Sequence, residues 1–205
     1  MKLTWLGHSC FLMESADGSL VFDPYAPGSV PGLRLPKLKA DAVHCSHEHR
    51  DHGYARGVKL TGKPASFTLT EIPCWHDEQG GALRGPNRIA VVEAEGLRIA
   101  HLGDLGHLLS EEQLAALGKI DLLMIPVGGH YTIDAATARR QAAAIGARLV
   151  LPMHYRGPGF GYDVIGPVED FLAPEDRVLR LEDTVLDPAA VEGQAVVLLR
   201  CPTEA

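Results

Sequence analysis

The chain has 205 residues, 46% of them hydrophobic, and a formal net charge of -7. That length and apolar share fit one domain with a sizeable buried core. The acidic balance, without any Lys/Arg cluster, excludes the electrostatic footprint of a nucleic-acid or anionic-membrane binder and favours a small-molecule substrate.

The four cysteines, Cys10, Cys45, Cys74 and Cys201, form no C-x-x-C pair and read as ordinary thiols of a reducing compartment. "MKLTWLGHSC" lacks a signal-peptide core, and no run approaches the ~18 apolar residues of a spanning helix. The expectation is a cytoplasmic protein; oligomeric state is not legible.

In chain order, "KLTWLGHSCFLMESADGSLVFDP" reads as two β runs joined at "ADG", the second closed by Asp23 and Pro24. A Pro/Gly-rich loop, "APGSVPGLRLPKLKA", leads to "DAVHCSHEH", a short buried-strand pattern that breaks into the cluster "SHEHRDH". "PASFTLTEIPCWHD" is a further β run, ending at His76 and Asp77. "NRIAVVEAEGLRIAHLGD" is a second hairpin, turning at "AEG" and ending at Asp104 as the first ends at Asp23. Ser110 and Gln113 form a capping-box pattern opening the helix "SEEQLAALG", which Gly118 closes, and "IDLLMIPVGG" is a buried strand. Helix "DAATARRQAAAIG", stopped at Gly146, precedes strand "ARLVLPMHY". From about Gly157 follow a loop, a short helical piece near "PVEDFL", and β runs "RVLRL" and "QAVVLLR". A hairpin-rich stretch followed by α/β units thus occurs twice. This implies two facing sheets with helices outside, a four-layer α/β sandwich (αββα) forming a single domain over residues 1–205.

Residues two apart on an extended strand share a face, so His47 and His49 can reach one ion together, while His44 cannot easily join them. Asp51 and His52 follow after the chain turns and suit a second ion nearby. Glu48 and Arg50 alternate away. Two ions need further donors, and His76, Asp104 and His154 each stand just beyond an apolar β run. Ligands bind at the carboxyl ends of strands in open α/β sheets.

"SHEHRDH", "WHD", "HLGDLGH" and "PMHY", in that order, resemble the motifs of the metallo-β-lactamase fold superfamily. More narrowly, "WLGHSCFLME", "VFDP" and the series "HLGDLG", "PVGGHYT", "PMHY" resemble its branch of small metal-dependent hydrolases related to ascorbate-6-phosphate lactonase. The resemblance implies that His47, His49 and His76 bind one ion, that Asp51, His52 and His154 bind the other, and that Asp104 bridges them. Asp23 matches the family's acidic residue that supports the cluster through hydrogen bonds. The implied cofactor is a pair of divalent metal ions, with zinc first and manganese or iron as alternatives. Two cations ~3.5–4 Å apart lower the pKa of water and clamp charge developing on a carbonyl or phosphoryl oxygen. The implied activity is hydrolysis of an ester, lactone or phosphodiester, with Asp51 orienting the nucleophile and accepting its proton.

Among the remaining histidines, His44 faces away, and His101 and His107 are candidates for outer support. His8 and His130 fall at strand ends that the fold brings to one rim, as proton donors or substrate contacts or as buried structural groups. His130 departs from the branch pattern and joins Asp51 as the second candidate catalytic residue. Arg84, Asn87 and Arg88 belong either to an anion-holding loop or to a solvated glycine-rich one, and Phe160 and Tyr162 to a lid or a packed turn. Cys45 reads as a core thiol. Two rival classes are a di-iron oxidoreductase of the same fold, disfavoured by His49 where that branch carries glutamate, and a protein using metal only structurally.

Overall fold

In the computed structural model, which describes residues 1–202, the opening β run divides at Gly7 and His8. Both adopt left-handed backbone, at φ 93° and 55°, and Cys10 N–H donates to the Gly7 carbonyl. The expected single run therefore becomes two strands, β1 (Lys2–Trp5) and β2 (Phe11–Ser15), which pair antiparallel from Trp5 opposite Phe11. The physical reason is the glycine: an interior Gly in a strand pattern permits the turn that breaks it.

The hairpin at "ADG" forms as expected, with β3 (Gly18–Phe22) pairing to β2. β4 (Leu38–Ala40), β5 (Ala42–His44) and β6 (Val58–Leu60) follow, then the long antiparallel pair β7 (Thr68–Trp75) and β8 (Pro86–Ala94), and β9 (Leu97–His101). Helix α1 (Glu111–Leu117) carries the capping box of Ser110 and Gln113 and ends at Gly118. β10 (Leu122–Pro126), α2 (Ala135–Ile145) with Asp134 as N-cap and Gly146 as left-handed C-cap, and β11 (Leu149–Met153) complete the α/β units. The tail adds β12 (Val178–Leu181), the unexpected short β13 (Val185–Leu186) and β14 (Ala195–Leu199). The "PVEDFL" piece is a single 3-10 turn, Val168–Asp170.

One sheet runs β13-β1-β2-β3-β5, the other β12-β14-β11-β10-β9-β8-β7, with β4 and β6 as a separate parallel pair. The internal echo is visible in the topology. β1, β2 and β3 are antiparallel and β5 then joins β3 in parallel; β7, β8 and β9 are antiparallel and β10 then joins β9 in parallel. Asp23 and Asp104 thus follow equivalent strands, β3 and β9. The echo is incomplete: among the described residues, the stretch between β5 and β7 holds no α-helix, only the 3-10 turn Ala55–Gly57 and the short β6, because Gly53, Gly57, Gly62 and Pro64 interrupt any helical run.

The sheets meet across one buried core, in which Phe22 of β3 stacks on His101 of β9 at 5.2 Å. Both α-helices pack against the larger sheet, α2 on β10 and α1 on β7. Every residue of β10 is buried, as a strand covered by the other sheet on one face and a helix on the other must be. The chain has the two-sheet α/β sandwich expected of the αββα class, with both described α-helices on the larger sheet, and no helix among the described residues is long and apolar enough to cross a membrane. The last three residues of the expected 1–205 domain lie outside the described residues.

Met124, fully buried in β10, tests this packing. Met124→Ala should lower unfolding free energy by about 2–5 kcal/mol in a denaturant titration. A loss below about 1 kcal/mol, the range of surface substitutions, would contradict a close-packed layer here.

Candidate metal centre

Beyond β5 the backbone is not extended, which corrects the strand-alternation argument for His47 and His49. The segment folds into a tight turn in which the amides of His52 and Gly53 both donate to the His49 carbonyl, at 3.0 and 2.7 Å. The turn, not the pleat, brings the His47 and His49 rings to 4.6 Å and returns His52 to within 4.4 Å of His47. Glu48 and Arg50 are exposed.

The later donors arrive from the larger sheet. His76 directly follows β7, His154 directly follows β11 in left-handed backbone at φ 54°, and Asp104 follows β9 after a close contact at Gly103. A Cβ on Gly103 would lie 2.4 Å from both Asn87 Oδ1 and Ser46 Cβ, so only glycine lets the strand end pass between them. Asn87 then accepts the Asp104 amide at 3.0 Å.

All seven sequence-predicted ligand residues fall into three groups of converging donors. His47, His49 and His76 form one; Asp51, His52 and His154, with His8, form another; His47 and His52, one from each, form the third with Asp104. Asp104 lies between the first two: Oδ2 is 3.2 Å from His76 Nε2 and 3.3 Å from His154 Nε2, and Oδ1 is 3.2 Å from His52 Nε2. These approaches lack hydrogen-bond geometry. The buried atoms His47 Nε2, His52 Nε2, His154 Nε2 and Asp104 Oδ1 have no hydrogen-bond partner at all. Buried polar atoms are normally paired, so a set of orphans that converge, made of imidazole and carboxylate, fits bound metal.

Asp23, fully buried behind the cluster, orients it. Its Oδ1 accepts Ser46 N–H at 2.7 Å, and its Oδ2 lies 2.6 Å from Ser46 Oγ and 2.7 Å from His52 Nδ1. Ser46 Oγ in turn contacts His47 Nδ1 at 3.0 Å. Two imidazoles are thereby held by Nδ1 with Nε2 facing the cavity, the usual outer support of a ligating histidine. Burial opposes ionisation of Asp23, but the facing imidazoles of His101 and His52 keep its carboxyl below the usual range. Burial also disfavours charge on His52, yet Asp104 and Asp23 on either side raise it well above an ordinary imidazole. Burial and the neighbouring His52 push His47 down to about 3, leaving its ring neutral with a lone pair available.

His8 is the residue that enters the cluster beyond the predicted ligand set, where it had stood only as a rim candidate. Its signal in the sequence was Gly7, the interior glycine that breaks the strand. The other histidines separate by their contacts. His101 bonds the Ser9 carbonyl through Nε2 at 2.8 Å and accepts Gly103 N–H at Nδ1, so both its nitrogens are engaged away from the centre. His107 accepts Trp75 N–H and bonds the Leu108 carbonyl, and His44 pairs with Glu71 at 3.0 Å. His130 is exposed on the rim at φ 59°, its ring against Tyr131 and outside the groups of converging donors.

The loop carrying Arg84 is ordered by its own carboxylate. Asp77, next to His76, accepts the amides of Gln79 and Gly81 on one oxygen and of Leu83 and Arg84 on the other. Arg84 then bonds the His130 carbonyl at 3.1 Å and lies over the Tyr131 ring. Arg84 and Arg88 line a cleft beside His47 and His49, while Asn87 is buried and structural. The loop after His154 packs down: Gly161 N–H bonds the Pro31 carbonyl, and Tyr162 Oη lies 2.6 Å from Ser29 O and 3.2 Å from Asp51 Oδ2. Phe160 is buried against Trp5. Burial raises the half-buried Cys45 thiol to about 12, consistent with an inert thiol.

Residues 2–154 match the family described as the beta-lactamase superfamily domain. The chain is 28% identical over 193 residues to a UPF0173 metal-dependent hydrolase of Archaeoglobus fulgidus, covering 76% of this chain and 83% of the relative. It is 30% identical over 188 residues to a protein of the same name from Methanoculleus marisnigri, covering 76% and 81%. A Thermotoga maritima crystal structure, presented as a candidate zinc-dependent hydrolase of the metallo-β-lactamase superfamily, superposes with TM-score 0.76 at 31% identity over 97% of both chains. With the sandwich fold and the converging histidines and aspartates, these matches place the chain in the metallo-β-lactamase superfamily, to which it belongs.

Proposed function

We propose that this protein is a dinuclear metal-dependent hydrolase acting on an ester, lactone or phosphodiester of a small metabolite. One observation carries the reading: the Asp104 carboxylate lies 3.2 Å from His76 Nε2 of one donor group and 3.2 and 3.3 Å from His52 and His154 Nε2 of the other, and both of the latter atoms are buried without a hydrogen-bond partner. His47, His49 and His76 would hold one ion, Asp51, His52 and His154 the other, and Asp104 both. The relatives named as metal-dependent hydrolases support the reaction class. Two divalent cations at such a centre supply Lewis acidity and water of lowered pKa, so no serine or cysteine nucleophile is required.

The chain's own groups supply orientation and proton transfer. Asp51 is the ligand carboxylate with solvent access, its side chain 18% exposed, and is placed to orient the attacking water and take its proton. Tyr162, held neutral by burial and by the Asp51 charge that raise its phenol, aims its hydroxyl at the same carboxylate. His52 cannot rotate while Asp23 grips Nδ1, which fixes the nitrogen facing Asp104. On the rim, Arg84 and His130 are placed to meet the substrate rather than the ions, with the guanidinium suited to a carboxylate or phosphate group. Five histidines with two aspartates suit zinc first, with manganese or iron as alternatives.

Exhaustive chelation should abolish hydrolysis of a panel of ester, lactone and phosphodiester substrates. Two equivalents of Zn²⁺ or Mn²⁺ per chain should restore it, and full activity of the metal-free protein would refute the proposal. Asp104→Ala should lower kcat/KM by more than about 100-fold, the upper end of what losing an outer support costs, and reduce bound metal below two per chain. Asp23→Asn should weaken metal binding by about 10–100-fold with far-UV circular dichroism unchanged. An unaltered affinity would show that the Asp23 bonds do not orient the centre.

A further inference from the structure

We propose that His8 is a further metal donor, completing the group of Asp51, His52 and His154, and that the two metal positions are consequently unequal. The inference rests on the dinuclear reading above.

His8 is 1% exposed, and neither of its ring nitrogens has a hydrogen-bond partner. An imidazole buried with both nitrogens idle is a costly arrangement unless something outside the protein takes a lone pair. Its Nε2 lies 3.4 Å from Asp51 Oδ2, and its ring is 4.2 Å from that of His154 and 5.1 Å from that of His52. One atom from each of these four side chains falls within 4.8 Å of the others. The backbone is built to hold the ring there. His8 is in left-handed conformation at φ 55°, which is strained for a non-glycine residue. Its carbonyl accepts the Trp5 indole N–H at 3.0 Å and the His154 amide at 3.4 Å, tying the β1–β2 turn to the end of β11. Strain of this kind persists where surrounding contacts over-determine it, and it concentrates at ligand-binding sites.

A donor at His8 makes the two positions chemically different. The Asp51 side then has His8, His52, His154 and Asp51 with the shared Asp104, and its three histidines are buried. The other side has three histidines with Asp104, and His49 among them is exposed. The first position therefore binds more tightly and releases its ion more slowly; the second is open to solvent, exchanges readily and retains room for water.

The test is a titration of the metal-free chain with Co²⁺, followed by calorimetry and visible absorption, for wild type, His8→Gln, His8→Ala and His49→Ala. Wild type should bind two ions in two steps. Both His8 variants should weaken the tighter step beyond the about 10–100-fold expected for losing an outer support, and change the absorption bands of that first ion, since a nitrogen donor has left it. His49→Ala should weaken only the second step. Circular dichroism checks that each variant folds, and His8→Gln keeps comparable bulk where the smaller variant fails. Unchanged affinity and bands in a folded His8 variant overturn the proposal, as does a weaker first step with unchanged bands, which is the signature of a residue that only positions Asp51. Fewer than two ions in wild type would instead overturn the dinuclear reading itself.

Discussion

The centre depends on one buried carboxylate. Asp23 has no solvent contact, yet its oxygens take the Ser46 amide, the Ser46 hydroxyl and the His52 ring. These bonds anchor the turn at its first residue and its last histidine, which fixes where His47 and His49 fall between them. An isolated buried charge is unfavourable, and it is tolerated because the compensating groups are built around it before any cation arrives. The same bonds explain why the cluster needs no regular secondary structure: the hydrogen bonds that a strand would have supplied come from a side chain of the neighbouring strand's end.

The twofold echo of the fold gives that carboxylate a counterpart. Asp23 and Asp104 follow corresponding strands of the two sheets, β3 and β9, and both reach the same cavity. Their roles diverge through what lies in front of each. Asp23 is covered by Ser46 and His52, whereas Asp104 faces Nε2 atoms from three chain segments. One aspartate becomes the support and the other faces the converging imidazoles. His52 lies between the two, with Nδ1 on Asp23 and Nε2 towards Asp104.

Strain marks the same region. Five non-glycine residues with left-handed backbone are found among the described residues, and three of them, His8, Asp23 and His154, meet in the centre. Each is the point at which a strand end is redirected into the cavity. Such conformations are unfavourable locally and are held by the core behind them, where Phe22 and His101 stack across the sheets and the buried β10 and β11 form a rigid floor. Precision at the site is thus a property of the sandwich and not of the loops alone.

The sequence by itself determined the alternation of hairpins and α/β units, the capped helices, the family and the seven His and Asp residues that the structure brings together. Those features rest on local periodicity, cap chemistry and the order of motifs, all of which are written along the chain. Only the tertiary structure decided the rest. That His47 and His49 meet through a turn and not a pleat depends on Asp23, 23 residues before the Ser46 that it holds. That Arg84 stands on the rim depends on an Asp77 carboxylate gathering four amides. His101 leaves the centre because Ser9, 92 residues away, engages its ring. His8 enters it because Gly7 breaks what reads as a continuous strand and the His154 amide, just beyond β11, holds the turn. The Asp77 bonds span only two to seven residues; the other contacts join residues distant in sequence, and short-range patterning has no means of encoding them.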